Sequence, residues 1–323
     1  MRRRFISAAC AVAILALGAS ACAAMDRVSI HLKWFHSAQF AGLYAAEANG
    51  FFAREGLEVE FVDGPALDDV LIDLSEGAYD FVLADPTRHL SLASRGITNV
   101  AVAAVFQIDP AVIFSLEESG IRRAEDLLGK RVMFYPTSLI VPAVLGRVGL
   151  TLEDIETVPA SYDLSDLYSG ACDAWSGYYT SEVRLAREDG YDVNVIYPTD
   201  YGVHLYGDVL IARRDLVATD PDLVQRVVFA LIEGWRWTLG HVEEAAELPL
   251  AWDPTLDVEE QRRTLMASLP FVHVGRAPLC AMLDEQWSSI AATMIELGLL
   301  PMSFDPSDVY TLDFVRPPDR PRP

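Results

Sequence analysis

A seven-residue phrase occurs twice in this chain, and no other feature constrains its fold as much. Residues 74–80 read LSEGAYD and residues 167–173 read LYSGACD, with four identical positions. Each copy is typical of a helix end, a glycine stop, a turn and a strand. Such corners are common enough to match by chance. Because each copy lies in its own alternation of strand and helix patterns, however, the repeat predicts two similar α/β lobes.

The pattern around each copy alternates between strand and helix periodicity. In the first cycle, the predicted strands are 28–33, 57–62, 79–84 and 99–106, and the helices are 38–48, 67–75 and one that begins at Pro86. In the second cycle, the predicted helices are 121–128, 139–148, 164–169 and 181–188, and the strands are 131–134, 155–158, 171–175 and 193–196. This order predicts mostly parallel sheets flanked by helices. From Pro221 onward the pattern is almost entirely helical, and the Pro/Arg-rich tail 316–323 is expected to be disordered.

The N-terminus has the pattern of an export signal. Arg2, Arg3 and Arg4 precede an apolar run over 5–17, and small residues follow. A secretory signal has this order, so residues 1–23 are expected to be removed, with a short membrane anchor as the alternative. The segment Ala-Ser-Ala-Cys22 also resembles a bacterial lipobox, in which Cys22 would carry a lipid. Either reading predicts a protein of the periplasm or the cell surface.

Charge and cysteine content exclude several classes of function. The formal net charge is −22, and removing the three signal arginines would lower it to −25. Nucleic acids and anionic membrane surfaces are therefore poor partners. After export, Cys172 and Cys280 remain, without a disulfide framework or a zinc motif, so no zinc site is expected. No cofactor is expected either.

The repeat also indicates where a ligand would bind. The two copies lie 93 residues apart, and the same spacing pairs segment 84–89 with segment 177–182. Both segments are helix starts that follow predicted strands. Ligands of parallel α/β sheets lie beyond the carboxyl ends of the strands, and helix starts offer free N–H groups. Two lobes whose strand ends face each other would form a cleft for a small ligand.

Four segments resemble the periplasmic solute-binding proteins of ABC importers, of the type that binds thiamine-pyrimidine and riboflavin precursors. This family also contains the yeast thiamine pyrimidine synthase. The segments are LKWFHSAQFAGLY (32–44) with its continuation to residue 59, RAEDLLGKRV (123–132), GYYTSE (177–182) and YPTDYGVHLYGDVL (197–210). The first and last are the most specific, and the resemblance spans about residues 27–245.

The resemblance implies a type II periplasmic-binding fold, in which two α/β lobes are joined by two crossover segments. Lobe 1 would comprise residues 25–108 plus 209–323, and lobe 2 residues 109–208. The implied function is extracytoplasmic binding of a small heterocycle for delivery to an ABC permease and ATPase. A thiamine pyrimidine precursor is the first choice, a flavin the second and an alkylsulfonate the third. A sensor module is the alternative role, and contact with the membrane would occur only through a lipid anchor.

The resemblance also implies a set of residues lining the cleft, in which aromatic rings would stack on a flat ligand and polar groups would bind its edge. These candidates are Trp34, His36, Gln39, Tyr44, Asp85, Arg88, Gln107, Tyr178, Glu182, Tyr201 and His204. Glu182 would accept hydrogen bonds from an aminopyrimidine. Alternatively, Trp34 and Tyr44 belong to the core, and His204 packs at the hinge. A metal site of His36, His89 and His204 with Asp85 is a further alternative.

The synthase branch of the family defines the enzymatic alternative. There a lysine at the end of the third strand carries pyridoxal phosphate, a nearby histidine is consumed, and a cysteine-rich iron motif follows later. The matching positions here are Ala84 for the lysine and Arg88, or His89 with a one-residue slip, for the histidine. Segment 201–210 holds no cysteine. Because an aldimine needs an amine and neither lysine of the chain follows the third strand, a binding protein is expected rather than an enzyme.

Overall fold

The computed structural model describes residues 24–65, 68–135, 138–161, 163–275 and 278–315. The predicted signal with Cys22, position 67 of the second predicted helix and the tail 316–323 lie outside the described residues. The strands are β1 (Asp26–His31), β2 (Leu57–Val62), β3 (Phe81–Ala84), β4 (Val100–Ala104), β5 (Ala111–Leu116), β6 (Arg131–Phe134), β7 (Glu156–Pro159), β8 (Ala174–Tyr178), β9 (Val193–Ile196) and β10 (Val209–Ala212).

These strands form two five-stranded sheets. The strand order is β2-β1-β3-β10-β4 in the first sheet and β7-β6-β8-β5-β9 in the second. The mostly parallel arrangement is confirmed, but each sheet also contains one antiparallel strand that the sequence analysis did not identify. β10 runs antiparallel to β3 and β4, and β5 runs antiparallel to β8 and β9. The chain passes between the sheets twice, after β4 and after β9. The exact lobe boundaries stay a prediction.

Helices cover the sheets, and the helical last third is confirmed. They are α1 (Ala41–Ala48), α2 (Phe51–Arg54), α3 (Asp68–Glu76), α4 (Pro86–Ala93), α5 (Ile140–Arg147), α6 (Ser165–Tyr168), α7 (Arg184–Glu188), α8 (Arg214–Thr219), α9 (Pro221–Gly240), α10 (Val242–Glu247), α11 (Val258–Val272) and α12 (Asp284–Glu296). The helix predicted over 121–128 is wrong, since only a short 3-10 turn forms there, at Ala124–Leu127. Within the described ranges, no helix combines the length and apolarity that a membrane span requires.

The repeated phrase builds the same corner in both sheets. Gly77 and Gly170 have φ values of 90° and 73°, in the left-handed region that glycine adopts without steric cost. The Asp80 carboxylate accepts a hydrogen bond from the Ser29 backbone N–H of β1 at 3.0 Å. The Asp173 carboxylate accepts the equivalent bond from the Arg131 N–H of β6 at 2.8 Å. Each copy therefore ties a new strand to its parallel neighbour, β3 to β1 in the first sheet and β8 to β6 in the second.

Helices α1 and α9 cross at two glycines. A Cβ added to Gly42 would lie 2.4 Å from the Trp235 ring, and one added to Gly234 would lie 1.9 Å from the Gly42 carbonyl oxygen. The two helices therefore pack backbone against backbone, which only residues without a side chain allow. Because α1 follows directly on the loop after β1, this crossing determines where that loop lies.

Candidate functional site

A buried ammonium group connects the two sheets. Lys33 lies two residues past the end of β1, and its side chain is 10% exposed. Its Nζ lies 3.0 Å from Asp208 Oδ1 and 2.5 Å from Asp85 Oδ1. It also donates to the Tyr178 hydroxyl at 2.9 Å. Since Tyr178 ends β8 of the second sheet, this contact joins the two halves of the molecule.

The strand order brings these groups together. β1 and β10 both neighbour β3, so the loops after β1 and β3 and the start of β10 meet at one edge of the sheet. The Gln39 Nε2 also donates to the second Asp208 oxygen, at 2.7 Å. These five residues, Lys33, Gln39, Asp85, Tyr178 and Asp208, are called the Lys33 network below. An ammonium group has three donors, and the network supplies three acceptors for them.

The network holds Lys33 in its charged form. Burial would lower the pKa of Lys33, but the Asp208 and Asp85 carboxylates outweigh it and raise the pKa well above its ordinary value. Burial also raises the pKa of the Tyr178 hydroxyl well above its usual range, although Lys33 opposes this shift. Both groups therefore keep their protons at neutral pH, and the cluster acts as a fixed arrangement of donors and carboxylate acceptors rather than as an acid–base pair.

Asp109 is a further acidic group beside this network, at the first crossover. Its Oδ1 accepts a hydrogen bond from the Ala111 N–H at 2.9 Å. Burial raises the pKa of Asp109 to about 7, with repulsion from Asp85 and Asp208 adding to the shift and attraction to Lys33 opposing it. The folded protein therefore binds a proton at Asp109 in a pH range where the unfolded chain does not.

This difference predicts a pH dependence of stability. Because the folded pKa of Asp109 lies above the unfolded value, stability falls as the pH rises from about 4 through 7. We expect Asp109→Asn to raise the free energy of unfolding at pH 8 by about 1–2 kcal/mol, because the wild-type carboxylate is buried in its charged form at that pH. The variant should differ little from the wild type at pH 4. Melting temperatures of both proteins from pH 4 to 8 test this expectation, and parallel curves would contradict it.

Three of the sequence-predicted residues belong to the Lys33 network, namely Gln39, Asp85 and Tyr178. Trp34 directly follows Lys33 and is 39% exposed. Its ring packs edge-to-face on Phe35 at a centroid distance of 5.5 Å. Trp34 therefore offers an accessible aromatic face beside the network, as ligand stacking requires.

His36 and Tyr44 lie elsewhere, in an aromatic cluster of the first sheet's helical layer. The His36 Nδ1 and the Tyr44 hydroxyl are 2.9 Å apart, and Tyr44 stacks on Trp252 at 4.6 Å. Tyr44 is fully buried, so the structure leaves it no surface for a ligand, in agreement with the core alternative. These contacts anchor the loop that carries Trp34.

Three of the remaining predicted polar residues, Gln107, Tyr201 and Glu182, already bond to the protein. Gln107 donates to the carbonyl groups of Ala104 and Ala281 at 2.6 and 2.9 Å, which ties the first crossover to the C-terminal segment. The Tyr201 hydroxyl accepts a hydrogen bond from the Ala124 N–H at 2.9 Å. His204 is exposed on the second crossover. The Glu182 carboxylate accepts bonds from the Tyr178 N–H at 2.7 Å and the Ser181 hydroxyl at 2.5 Å, so it caps the turn after β8.

A groove of about 940 Å³ lies between elements of both halves of the molecule. One wall belongs to α4 and the residues just after it, with Thr87, Arg88, Ser91 and Arg95. The other walls belong to the α5 region and the end of α12, and include Phe134, Ser138, Leu139, Pro142, Gly146 and Leu297. Arg88 is the sequence-predicted residue that lies here, three positions after Asp85.

The histidine metal site is not assembled. His89 is buried, and its Nε2 bonds to the Val309 carbonyl at 2.7 Å. Burial lowers the pKa of His89 to about 4. In the part of the chain that the structure describes, no three His, Cys, Asp or Glu side chains are grouped to hold a metal ion.

Sequence reasoning missed Lys33, Asp109 and Asp208. The sequence pattern places Lys33 at the end of the first predicted strand and not after the third predicted strand, so Lys33 is not among the predicted site residues. In space its ammonium reaches that position, since it contacts Asp85, the residue after Ala84. The available signal was a lysine at the carboxyl end of an alternating strand.

The two five-stranded α/β sheets give the chain the fold of the periplasmic binding proteins. This architecture is shared with the aliphatic sulphonate binding protein SsuA from Escherichia coli, at a TM-score of 0.72 and 19% identity, over 92% of this chain and 96% of that one. The chain belongs to the NMT1/THI5-like family, whose model matches residues 37–245.

Curated relatives of the chain include binding proteins and enzymes. It is 27% identical to a formylaminopyrimidine-binding protein of Halalkalibacterium halodurans, over 70% of this chain and 71% of the relative. It is 25% identical to the riboflavin-binding protein RibY of Chloroflexus aurantiacus, over 90% and 86%. A 4-amino-5-hydroxymethyl-2-methylpyrimidine phosphate synthase of Legionella pneumophila is 22% identical, over 92% and 94%.

Proposed function

We propose that this protein is an extracytoplasmic substrate-binding protein of an ABC importer and that it binds a small flat heterocycle between its two lobes. The observation that carries the proposal is the Lys33 network, which joins both sheets beside an exposed Trp34. A thiamine pyrimidine precursor is the first ligand and a flavin the second, in keeping with the names of the relatives.

The chemistry of the cleft favours a ring that carries N–H donors. The Asp85 carboxylate is about one-third exposed while it pairs with Lys33, so it retains lone pairs for further donors. Asp109 and Asp208 add acidic groups around the single ammonium. An aminopyrimidine or a flavin edge can donate to such acceptors, whereas an alkylsulfonate has neither ring nor donor and stays the third choice.

The synthase alternative is disfavoured by the state of Lys33. Although its ammonium reaches the end of β3, three acceptors surround it and its raised pKa keeps it protonated. An amine that forms an aldimine needs a lowered pKa. The residues present therefore do not fit pyridoxal phosphate, and no catalytic step is assigned to them.

A ligand screen with a matched pair of aromatic variants tests the proposal. We expect a pyrimidine precursor or riboflavin to raise the melting temperature of the mature protein, since a ligand that binds only the folded state stabilises it. Trp34→Ala should weaken binding about tenfold, because stacking contributes roughly 1–3 kcal/mol. Isothermal titration calorimetry measures this loss.

Tyr191→Ala is the control for Trp34→Ala. Tyr191 is 38% exposed and stacks on Tyr168 at 4.0 Å, but it precedes β9 at the end of the sheet opposite Tyr178. Binding should be unchanged in this variant. Failure of every pyrimidine and flavin to bind would overturn the proposed ligand class. Cells that lack the protein should lose uptake of the ligand, and unchanged uptake would instead support a sensor.

A further inference from the structure

Two helices from different halves of the molecule are joined by charged side chains. Helix α7 follows β8 of the second sheet, whereas α11 buries Leu265 and Val272 in the same core as β1 of the first sheet. Arg184 of α7 forms an ion pair with Glu260 of α11. This pair therefore bridges the two halves through residues that do not belong to the Lys33 network.

Two further residues complete a ring of alternating charge. Glu188 Oε1 lies 2.8 Å from Arg184 Nη1 and 3.4 Å from Arg263 Nε. Arg263 Nη2 also lies 3.2 Å from Glu260 Oε2. These four residues, Arg184, Glu188, Glu260 and Arg263, are called the α7–α11 cluster below. Each guanidinium group contacts both carboxylates, and the Arg184 side chain is only 13% exposed, so solvent screens the cluster less than an isolated surface pair.

The cluster is attached to loops that carry the Lys33 network. On α7, Arg184 Nε donates to the Thr180 carbonyl at 3.2 Å, in the turn after β8. On α11, the Gln261 side chain accepts a hydrogen bond from the Ala38 N–H at 2.7 Å, and Ala38 precedes Gln39 of the network. A change in the separation of α7 and α11 therefore moves the loop after β8 relative to the loop after β1.

An aromatic contact continues the same interface. The Tyr179 ring, in the turn after β8, packs on Phe271 of α11 at a centroid distance of 5.9 Å. Phe271 lies about 16 Å along the helix from Glu260 at 1.5 Å per residue. Charges therefore join the two halves near one end of α11 and rings join them near the other. A substitution in the cluster changes the charges without altering the side chains of the ring contact.

We propose that the α7–α11 cluster is an electrostatic latch that favours the closed arrangement of the two lobes before the ligand binds. This inference rests on the proposed function, since a ligand held between the lobes benefits from any contact that closes them. The apparent affinity of a ligand falls with the fraction of the protein in the binding-competent form. The latch raises that fraction, because its opposite charges meet across the halves only when α7 and α11 are in contact.

Small-angle X-ray scattering of the ligand-free mature protein tests the latch. We expect Glu260→Gln to have a larger radius of gyration than the wild type, since Gln keeps the shape but leaves two guanidinium groups facing one carboxylate. Glu259→Gln is the matched control, because Glu259 is the preceding residue of α11 and pairs with Arg262 of the same helix at 3.1 Å. It should scatter like the wild type. Equal radii for the wild type and Glu260→Gln would overturn the latch.

A charge reversal separates the latch from a loss of folding. Arg184→Glu brings three carboxylates together and should enlarge the radius further. Adding Glu260→Arg restores opposite charges between the helices, so the double variant should return toward the wild-type radius. A double variant as expanded as Arg184→Glu alone would contradict electrostatic coupling between the two positions.

Ligand kinetics connect the latch to the proposed function. With riboflavin and 4-amino-5-hydroxymethyl-2-methylpyrimidine as probes, we expect Glu260→Gln to bind about fivefold more weakly than Glu259→Gln. The loss should come from faster dissociation rather than slower association, and stopped-flow fluorescence measures both rates. An expanded variant with unchanged affinity for the probes would overturn the role of the latch in binding. If neither probe binds the wild type, the proposed ligand class falls, and the scattering alone decides whether the latch exists.

Discussion

Lys33→Met is expected to lower the free energy of unfolding by about 3–5 kcal/mol, the cost of leaving a buried charge without its partner. The variant keeps the length of the side chain but removes the charge that Asp85 and Asp208 share. The two carboxylates, with Asp109 nearby, would then repel one another in a poorly solvated site. At about 2–4 °C per kcal/mol for a chain of this size, the melting temperature should fall by roughly 10 °C.

The pH dependence distinguishes this mechanism from lost packing. Because the wild-type pKa of Lys33 is raised, its stabilising effect is complete below its ordinary pKa and is lost only in strongly alkaline solution. The deficit of Lys33→Met should therefore hold across neutral pH and shrink only in strongly alkaline solution, where the wild-type ammonium also loses its charge. Adding Asp208→Asn should restore part of the stability, since it removes one unpaired charge.

Lys130→Met is the matched control, because Lys33 and Lys130 are the two lysines of the chain. Lys130 is partly exposed, before β6, and most such surface changes stay within about 0.5 kcal/mol. Equal stability of the two lysine variants from pH 5 to 8 would contradict a structural role for the Lys33 network.

The general architecture could be predicted from the sequence because local signals determine it. Glycine stops, apolar runs and the repeated corner marked most strands and helices. β5 and β10 were missed because each is a short apolar run next to a crossover. Such a run becomes a strand only through its partners, which lie in distant parts of the chain. Asp208 illustrates the distance, since it is 175 positions from Lys33, its ion-pair partner.

Gln39 was predicted from the family resemblance, and strand ends predicted two more residues of the Lys33 network, since Asp85 directly follows β3 and Tyr178 ends β8. Lys33 was not predicted, because the position of β1 beside β3 is a property of strand order rather than of sequence order. Tyr44 was predicted to line the cleft but is fully buried. Helical spacing predicts which side chains share a face of a helix, but it does not indicate whether that face contacts a ligand or the core.

The glycine crossing of α1 and α9 predicts the second large effect. We expect Gly234→Ala to lower the free energy of unfolding by about 3 kcal/mol or more, because a Cβ 1.9 Å from the Gly42 carbonyl oxygen forces two packed helices apart. α1 begins two residues after Gln39, which bonds Asp208 at 2.7 Å, so ligand affinity should fall as well. Gly240→Ala, at the end of the same helix, is the control. Its Cβ would meet nothing within 4 Å, and alanine favours helix by up to about 1 kcal/mol, so stability should hold or rise. Thermal unfolding and ligand titration of both variants measure these effects. If Gly234→Ala has the same melting temperature as Gly240→Ala and binds the ligand with wild-type affinity, the helix crossing does not position the loop after β1.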